Sequence, residues 1–63
     1  MMNFGEILSL EEVAGILKQS VKTVRRRIES GRLPSFAEGG RRRVLARDLE
    51  EYVEKQRKKG TWE

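Results

Sequence analysis

The stretch that decides the fold is SLEEVAGILKQSVKTVRRRIESG, residues 9–31. It opens with Ser-x-x-Glu, the signature of a capping box, in which Ser9 and Glu12 each satisfy the other's backbone N–H. Leu8 and Val13 stand at the positions of a hydrophobic staple around that cap. Leu10, Val13, Ala14 and Leu17 then recur at the i, i+3, i+4, i+7 spacing of a one-sided helix. This pattern predicts a first helix over 10–17, in which Gly15 costs up to about 1 kcal/mol. Lys18 and Gln19 interrupt it without the glycine often found in such a break. Ser20 is placed to cap a second helix, which runs through Val21, Val24 and Ile28 and stops at Gly31, a natural terminator. Two short helices joined by a few residues predict a helix-turn-helix unit.

Inside that second helix lie three consecutive arginines. A helix turns about 100° per residue, so the three cannot share a face. With Val24 and Ile28 at the centre of the buried stripe, Arg26 is directed away from the core, with Lys22 beside it. Arg25 and Arg27 fall on the two flanks, and Thr23 projects between Arg26 and Arg27. Such a fan suits a duplex groove. Arg26 and Lys22 are placed for base edges, where arginine pairs bidentately with guanine. Arg25 and Arg27 are placed for the phosphates of the groove walls, and Thr23 for a phosphate or a thymine methyl. A solvated surface is the competing reading of any charged helix face. It is disfavoured here because residues 21–47 set nine basic side chains against only Glu29 and Glu38, and the sole i, i+4 acid near the triplet is Glu29, opposite Arg25.

Downstream, Pro34 forbids further helix nearby. Residues 35–37 and 42–45 read as two short strands around EGG, with Gly39 and Gly40 supplying the positive φ angles of the turn. Period two puts Arg41 and Arg43 on one face of the second strand and Arg42 with Val44 on the other. A short basic hairpin beside a recognition helix is a wing, suited to a minor groove or its phosphates. A solubilising turn that protects a strand edge is the bland alternative. Leu49, Tyr52 and Val53 mark a third helix over about 47–58, with acids in its first turns and KQRKK at its far end, as the helix dipole favours. Residues 60–63, with Trp62, read as a tail. The expected architecture is mainly α with a small β-hairpin, a winged helix-turn-helix forming a single domain over 1–63 with its core at about 8–58.

Bulk properties narrow the function. The 63 residues carry a formal charge of +4, yet residues 1–20 and 48–63 are each slightly acidic and the middle holds all of the excess. Concentrated charge of this kind, with a pI near 10.0, marks a polyanion-binding surface. Cysteine is absent, so neither disulfide nor thiolate metal site is expected; histidine is absent too, leaving Ser9, Ser20, Ser30 and Ser35 with no base to activate them. No enzyme activity, cofactor or metal is expected. No apolar run approaches the roughly 18 residues of a membrane span, and the N-terminus has no basic region of the signal-peptide type. The expected location is cytoplasmic, on the nucleoid.

From Leu8 to Val53 the chain resembles the excisionase-like DNA-binding domains, a winged helix-turn-helix branch related to MerR-type regulators. The carriers are EEVAGIL, S-x-x-TV at the second helix, I-x-x-G-R-L-P, GG-R-x-R-V and DLEEYV. The resemblance implies double-stranded DNA as partner, the second helix in a major groove and the wing in the adjacent minor groove. By position, the implied DNA-facing residues are Ser20, Lys22, Thr23, Arg25 and Arg26 on the helix unit, and Arg41 and Arg43 in the wing. Gly31, Leu33 and Pro34 match the turn leading into the wing. Three positions depart from the pattern. Arg27 replaces a usual aromatic, Gln19 replaces an apolar residue of the turn, and Arg42 stands where tyrosine or tryptophan is frequent. They add polar or basic groups at the expected DNA surface, so Arg27 and Arg42 join the candidate contacts and backbone affinity is favoured over sequence preference. An excisionase also implies DNA bending, protomer–protomer contacts on DNA and a recombinase or other protein partner; a transcription regulator is the parallel role. The long dimerisation helix and ligand domain of MerR-type regulators find no counterpart here, so no small-molecule effector is expected. An adaptor that docks its basic face on an acidic protein, with Tyr52 and Trp62 as anchors, is the alternative function. For Tyr52, core packing is the preferred reading.

Overall fold

A computed structural model describes residues 6–60 of the chain; Trp62 and its expected tail role lie outside the described residues. The elements run β1 (Ile7–Ser9), α1 (Leu10–Leu17), α2 (Val21–Glu29), β2 (Phe36–Glu38), β3 (Arg41–Leu45) and α3 (Ala46–Lys58). This is a winged helix-turn-helix, mainly helical, and its sheet has one strand more than the expected hairpin.

Local chemistry sets the helix ends. Ser9 caps α1 through the full capping box: its Oγ accepts from the Glu12 N–H at 3.1 Å, and its own N–H donates to Glu12 Oε1 at 2.8 Å. The α1 terminus closes with two backbone bonds, Lys18 N–H to the Gly15 carbonyl at 3.3 Å and Gln19 N–H to the Ala14 carbonyl at 2.9 Å. This is the Schellman pattern, and it requires a left-handed residue just past the helix. Lys18 takes that conformation, φ 58°, where a glycine is usual. The end of α2 repeats the pattern with the expected residue. Gly31, φ 81°, donates to the Ile28 carbonyl at 3.0 Å, and Arg32 donates to that of Arg27 at 2.9 Å. The missing glycine of the first break is therefore a lysine doing a glycine's task at a conformational cost of about 1–2 kcal/mol.

The third strand is the main departure from the sequence reading. β1 pairs antiparallel with β3, Leu8 opposite Val44, while β2 pairs with the other edge of β3, Ala37 opposite Arg42. The sheet order is β1-β3-β2, and the Ala46 N–H donates to the Glu6 carbonyl at 2.7 Å where β3 passes into α3. Leu8 and Val44, a cross-strand pair, face the helices and are buried there.

The core joins that pair to Leu10, Val13, Ala14 and Leu17 of α1, Val24 of α2, Leu33 of the connection, and Leu49 and Tyr52 of α3. Leu33, Val13, Val24 and Val44 are the fully buried side chains. Each is worth about 1.5–3 kcal/mol in area removed from water. Val21, Ile28, Ala46 and Val53 pack against the cluster from its margin. Tyr52, 6% exposed, is therefore a core residue, not a surface anchor. Gln19 lies half-buried in the turn, and its Oε1 is buried without a hydrogen-bond partner among the described residues. This is the polar substitution that the resemblance marked, and an unmet buried acceptor costs about 1–3 kcal/mol.

Candidate nucleic-acid interface

Val24 anchors α2 in the core, and the rest of the helix follows from the 3.6-residue turn. Lys22, Arg25 and Arg26 are exposed, and Arg27 is half-buried and engaged by its surroundings. Among the described residues Lys22, Arg25 and Arg26 make no ion pair, and Glu29 does not pair with Arg25. The N-terminal turn of α2 carries no acid. Ser20 and Thr23 sit together in the cap: the Ser20 Oγ accepts from the Thr23 N–H at 3.1 Å and donates to Thr23 Oγ1 at 3.0 Å. Their hydroxyls shape the start of the helix before they can touch anything else.

The hairpin β2–β3 turns on Gly39, φ 60°, and Gly40, φ 79°. Two successive left-handed residues are the requirement of a type I′ turn, whose twist matches that of the strands. On β3 the register separates the second triplet. Arg42 shares the helix-facing side with Val44, beyond the edge of the core, and is exposed; Arg41 and Arg43 lie on the opposite side. Arg41 is exposed. Arg43 is half-buried, opposite Phe36 on one neighbour and Ser9 on the other. Its Nε donates to Glu38 Oε1 at 3.1 Å.

Tertiary structure then brings Arg25 of the first triplet beside the second triplet. A groove of about 320 Å³ is lined by Arg25 of α2, Gly40, Arg41, Arg42 and Arg43 of the wing, and Ser9, Leu10 and Glu11 at the start of α1. A second depression beside it shares Arg25, Arg42 and Leu10 and continues along Ile28, Glu29 and Gly31 to Ser35. Arg25 and Arg42 thus line both. Neither the contribution of Ser9–Glu11 to this surface nor the meeting of Arg25 with Arg42 was foreseen from the sequence. The first had a signal, since a capping box marks a helix start with backbone N–H groups directed outward. The second had none.

Elsewhere the charges are ordinary. Arg57 is held by both carboxylate oxygens of Glu54 at 2.8 and 2.7 Å, and its pKa is raised, first by that side-chain hydrogen bond and second by the attraction of the carboxylate charge. Among the described residues no group of three or more Asp, Glu, His or Cys is arranged to hold a metal ion. No described helix is long and apolar enough to cross a membrane.

A short helix projecting cations from a two-helix unit, with a basic hairpin closing one side, defines a DNA-binding module of the winged helix-turn-helix class. Residues 7–57 match the model of the helix-turn-helix domain family, an excisionase-like DNA-binding family. The chain belongs to that family. No curated protein and no solved structure matches it.

Proposed function

We propose that this chain is a sequence-recognising double-stranded-DNA-binding protein that acts without chemistry on the nucleic acid, as a recombination directionality factor or a transcription regulator. The observation that carries the reading is the groove in which Arg25 meets the arginines of the wing. Nine-residue α2 is of a size to enter a major groove about 12 Å wide. Lys22 and Arg26 then face base edges, Arg25 and Arg27 the backbone beside them, and Arg41, Arg42 and Arg43 the next minor groove or its phosphates. Ser20 and Thr23 belong to the same contact zone through the cap they form. Contacts from about six basic residues make affinity fall by orders of magnitude between low and moderate salt. Protomer contacts on DNA, a recombinase partner and a nucleoid location are part of the reading, and no small-molecule effector is.

Selection of binders from a random duplex library at near-physiological salt tests it. An enriched motif, above all one repeated at about one helical turn, supports a regulator or excisionase. Retention without enrichment reduces Arg26 to a backbone contact. No retention at all sinks the reading.

A further inference from the structure

Only two acids, Glu29 and Glu38, lie among the nine basic residues of segment 21–47, and the fold puts one of them inside the wing. Glu38 ends β2 directly opposite Arg41, with Arg43 one pair further along the same face of the ladder. Its carboxylate takes Arg43 Nε at 3.1 Å; the Arg43 side chain is 27% exposed and that of Glu38 60%. The glycine turn at 39–40 fixes this cross-strand placement. Arg41 and Arg42 are exposed and make no ion pair among the described residues. A backbone phosphate approaching the wing therefore meets two unpaired guanidiniums, and a third whose Nε edge is already taken by the more exposed carboxylate.

We propose that Glu38 is an affinity-setting residue of the interface. It holds Arg43 back from DNA, so that of the three wing arginines Arg41 and Arg42 carry most of the contact. This rests on the DNA-binding reading above. The physical consequence is a brake on backbone binding. Every phosphate contact adds equally to affinity for all sequences, so a protein with four arginines around one groove gains sequence preference by withholding one of them. An exposed ion pair is weak, so Glu38 restrains Arg43 without locking it, and the effect is graded by salt.

The experiment is anisotropy titration of a labelled short duplex of mixed sequence at salt concentrations from about 50 to about 200 mM. The proteins are the wild type, Glu38→Gln, Arg43→Gln and the double variant, with circular dichroism confirming the fold of each. The glutamine side chain retains length and an acceptor oxygen while losing the charge. Glu38→Gln is expected to raise affinity about five- to tenfold and to steepen the slope of log affinity against log salt by about 0.9, the release of one more counterion. In the Arg43→Gln background the gain is expected to shrink below twofold, because the freed arginine is gone. Equal gains in both backgrounds overturn the proposal, since they mean a general field effect that bypasses Arg43. Weaker binding by Glu38→Gln also overturns it, because the carboxylate then aims Arg43 at DNA. Wild-type protein and Glu38→Gln both failing to bind overturns the DNA-binding reading, and the inference with it. Binding by the wild type that Glu38→Gln leaves unchanged overturns the inference alone.

Discussion

Residues 25–27 and 41–43 are the same three letters, and the backbone makes them different instruments. On α2 the triplet fans by about 100° per step. One arginine lines the groove shared with the wing, one is exposed on the outer face and one is half-buried. On β3 the triplet alternates, so Arg41 and Arg43 share a face and Arg42 joins the side of Val44. Their electrostatic settings differ as well. Arg25 and Arg26 have no ion-pair partner among the described residues, whereas the strand triplet contains a carboxylate bound to Arg43. A helix spreads like charges over several directions, and a hairpin stacks them beside the residues of its other strand. In the proposed function, the helix reads sequence and the wing adjusts backbone affinity.

The largest test of that division is Arg26→Ala. On a duplex selected for tight binding it is expected to weaken affinity roughly ten- to a hundredfold, the worth of one bidentate guanine contact at about 1–3 kcal/mol. On mixed-sequence duplex the loss should be only severalfold. Competition titrations measure both, and equal losses would make the two triplets alike in function.

Gly40→Val attacks the geometry of the wing. A Cβ at this position meets nothing within 4 Å, so the cost is conformational, arising from φ 79° in a β-branched residue. A penalty of about 1–2 kcal/mol should lower the thermal midpoint by several degrees, about 4–8 °C per kcal/mol for a chain of this size. Affinity for mixed-sequence duplex should fall with it. Unchanged affinity in a folded variant would mean that the wing is dispensable.

Arg41→Ala is expected to reduce affinity severalfold on every sequence and to flatten the salt slope by about 0.9. Motif preference, read by repeating the selection, should stay as it was. A shifted motif would give the wing a share in base recognition.

The smallest effect is expected outside both triplets. Lys18→Gly replaces a strained left-handed residue with the one suited to it, and after the entropy cost of glycine should stabilise by about 0.5–1 kcal/mol. Thermal melting measures the gain. DNA affinity should not move, and a drop would extend the basic surface into the turn.

The two helices of the helix-turn-helix were legible because their signals act over three to five residues. Ser9 and Glu12, Ser20 and Thr23, Gly31 with the carbonyls behind it, and the apolar spacing of α1 all lie within one or two turns of their partners. Both hairpin strands were legible from alternation and the paired glycines, each to within a residue or so at its ends. β1 was not. Three residues, Ile7–Ser9, carry no period of their own, and they form a strand because β3, more than thirty residues later, has a free edge. Lys18 misled for the opposite reason, since the turn closes as though a glycine stood there. Each candidate residue could be assigned to a helix or to the wing from the sequence, but not its neighbours across the groove.

By itself the sequence determined the helix boundaries, the glycine turn, the core stripe and the concentration of charge between residues 21 and 47. These depend on bonds to near neighbours and on the period of each element, which a short window contains. Only tertiary structure decided the third strand, the convergence of Arg25 with Arg42, and the choice of Arg43, not Arg41, as the Glu38 Nε partner. Those outcomes depend on packing and side-chain placement across strands: the burial of Leu8 against Val44 seats β1 on β3, and the β2–β3 register set by the glycine turn leaves both Arg41 and Arg43 on the Glu38 face.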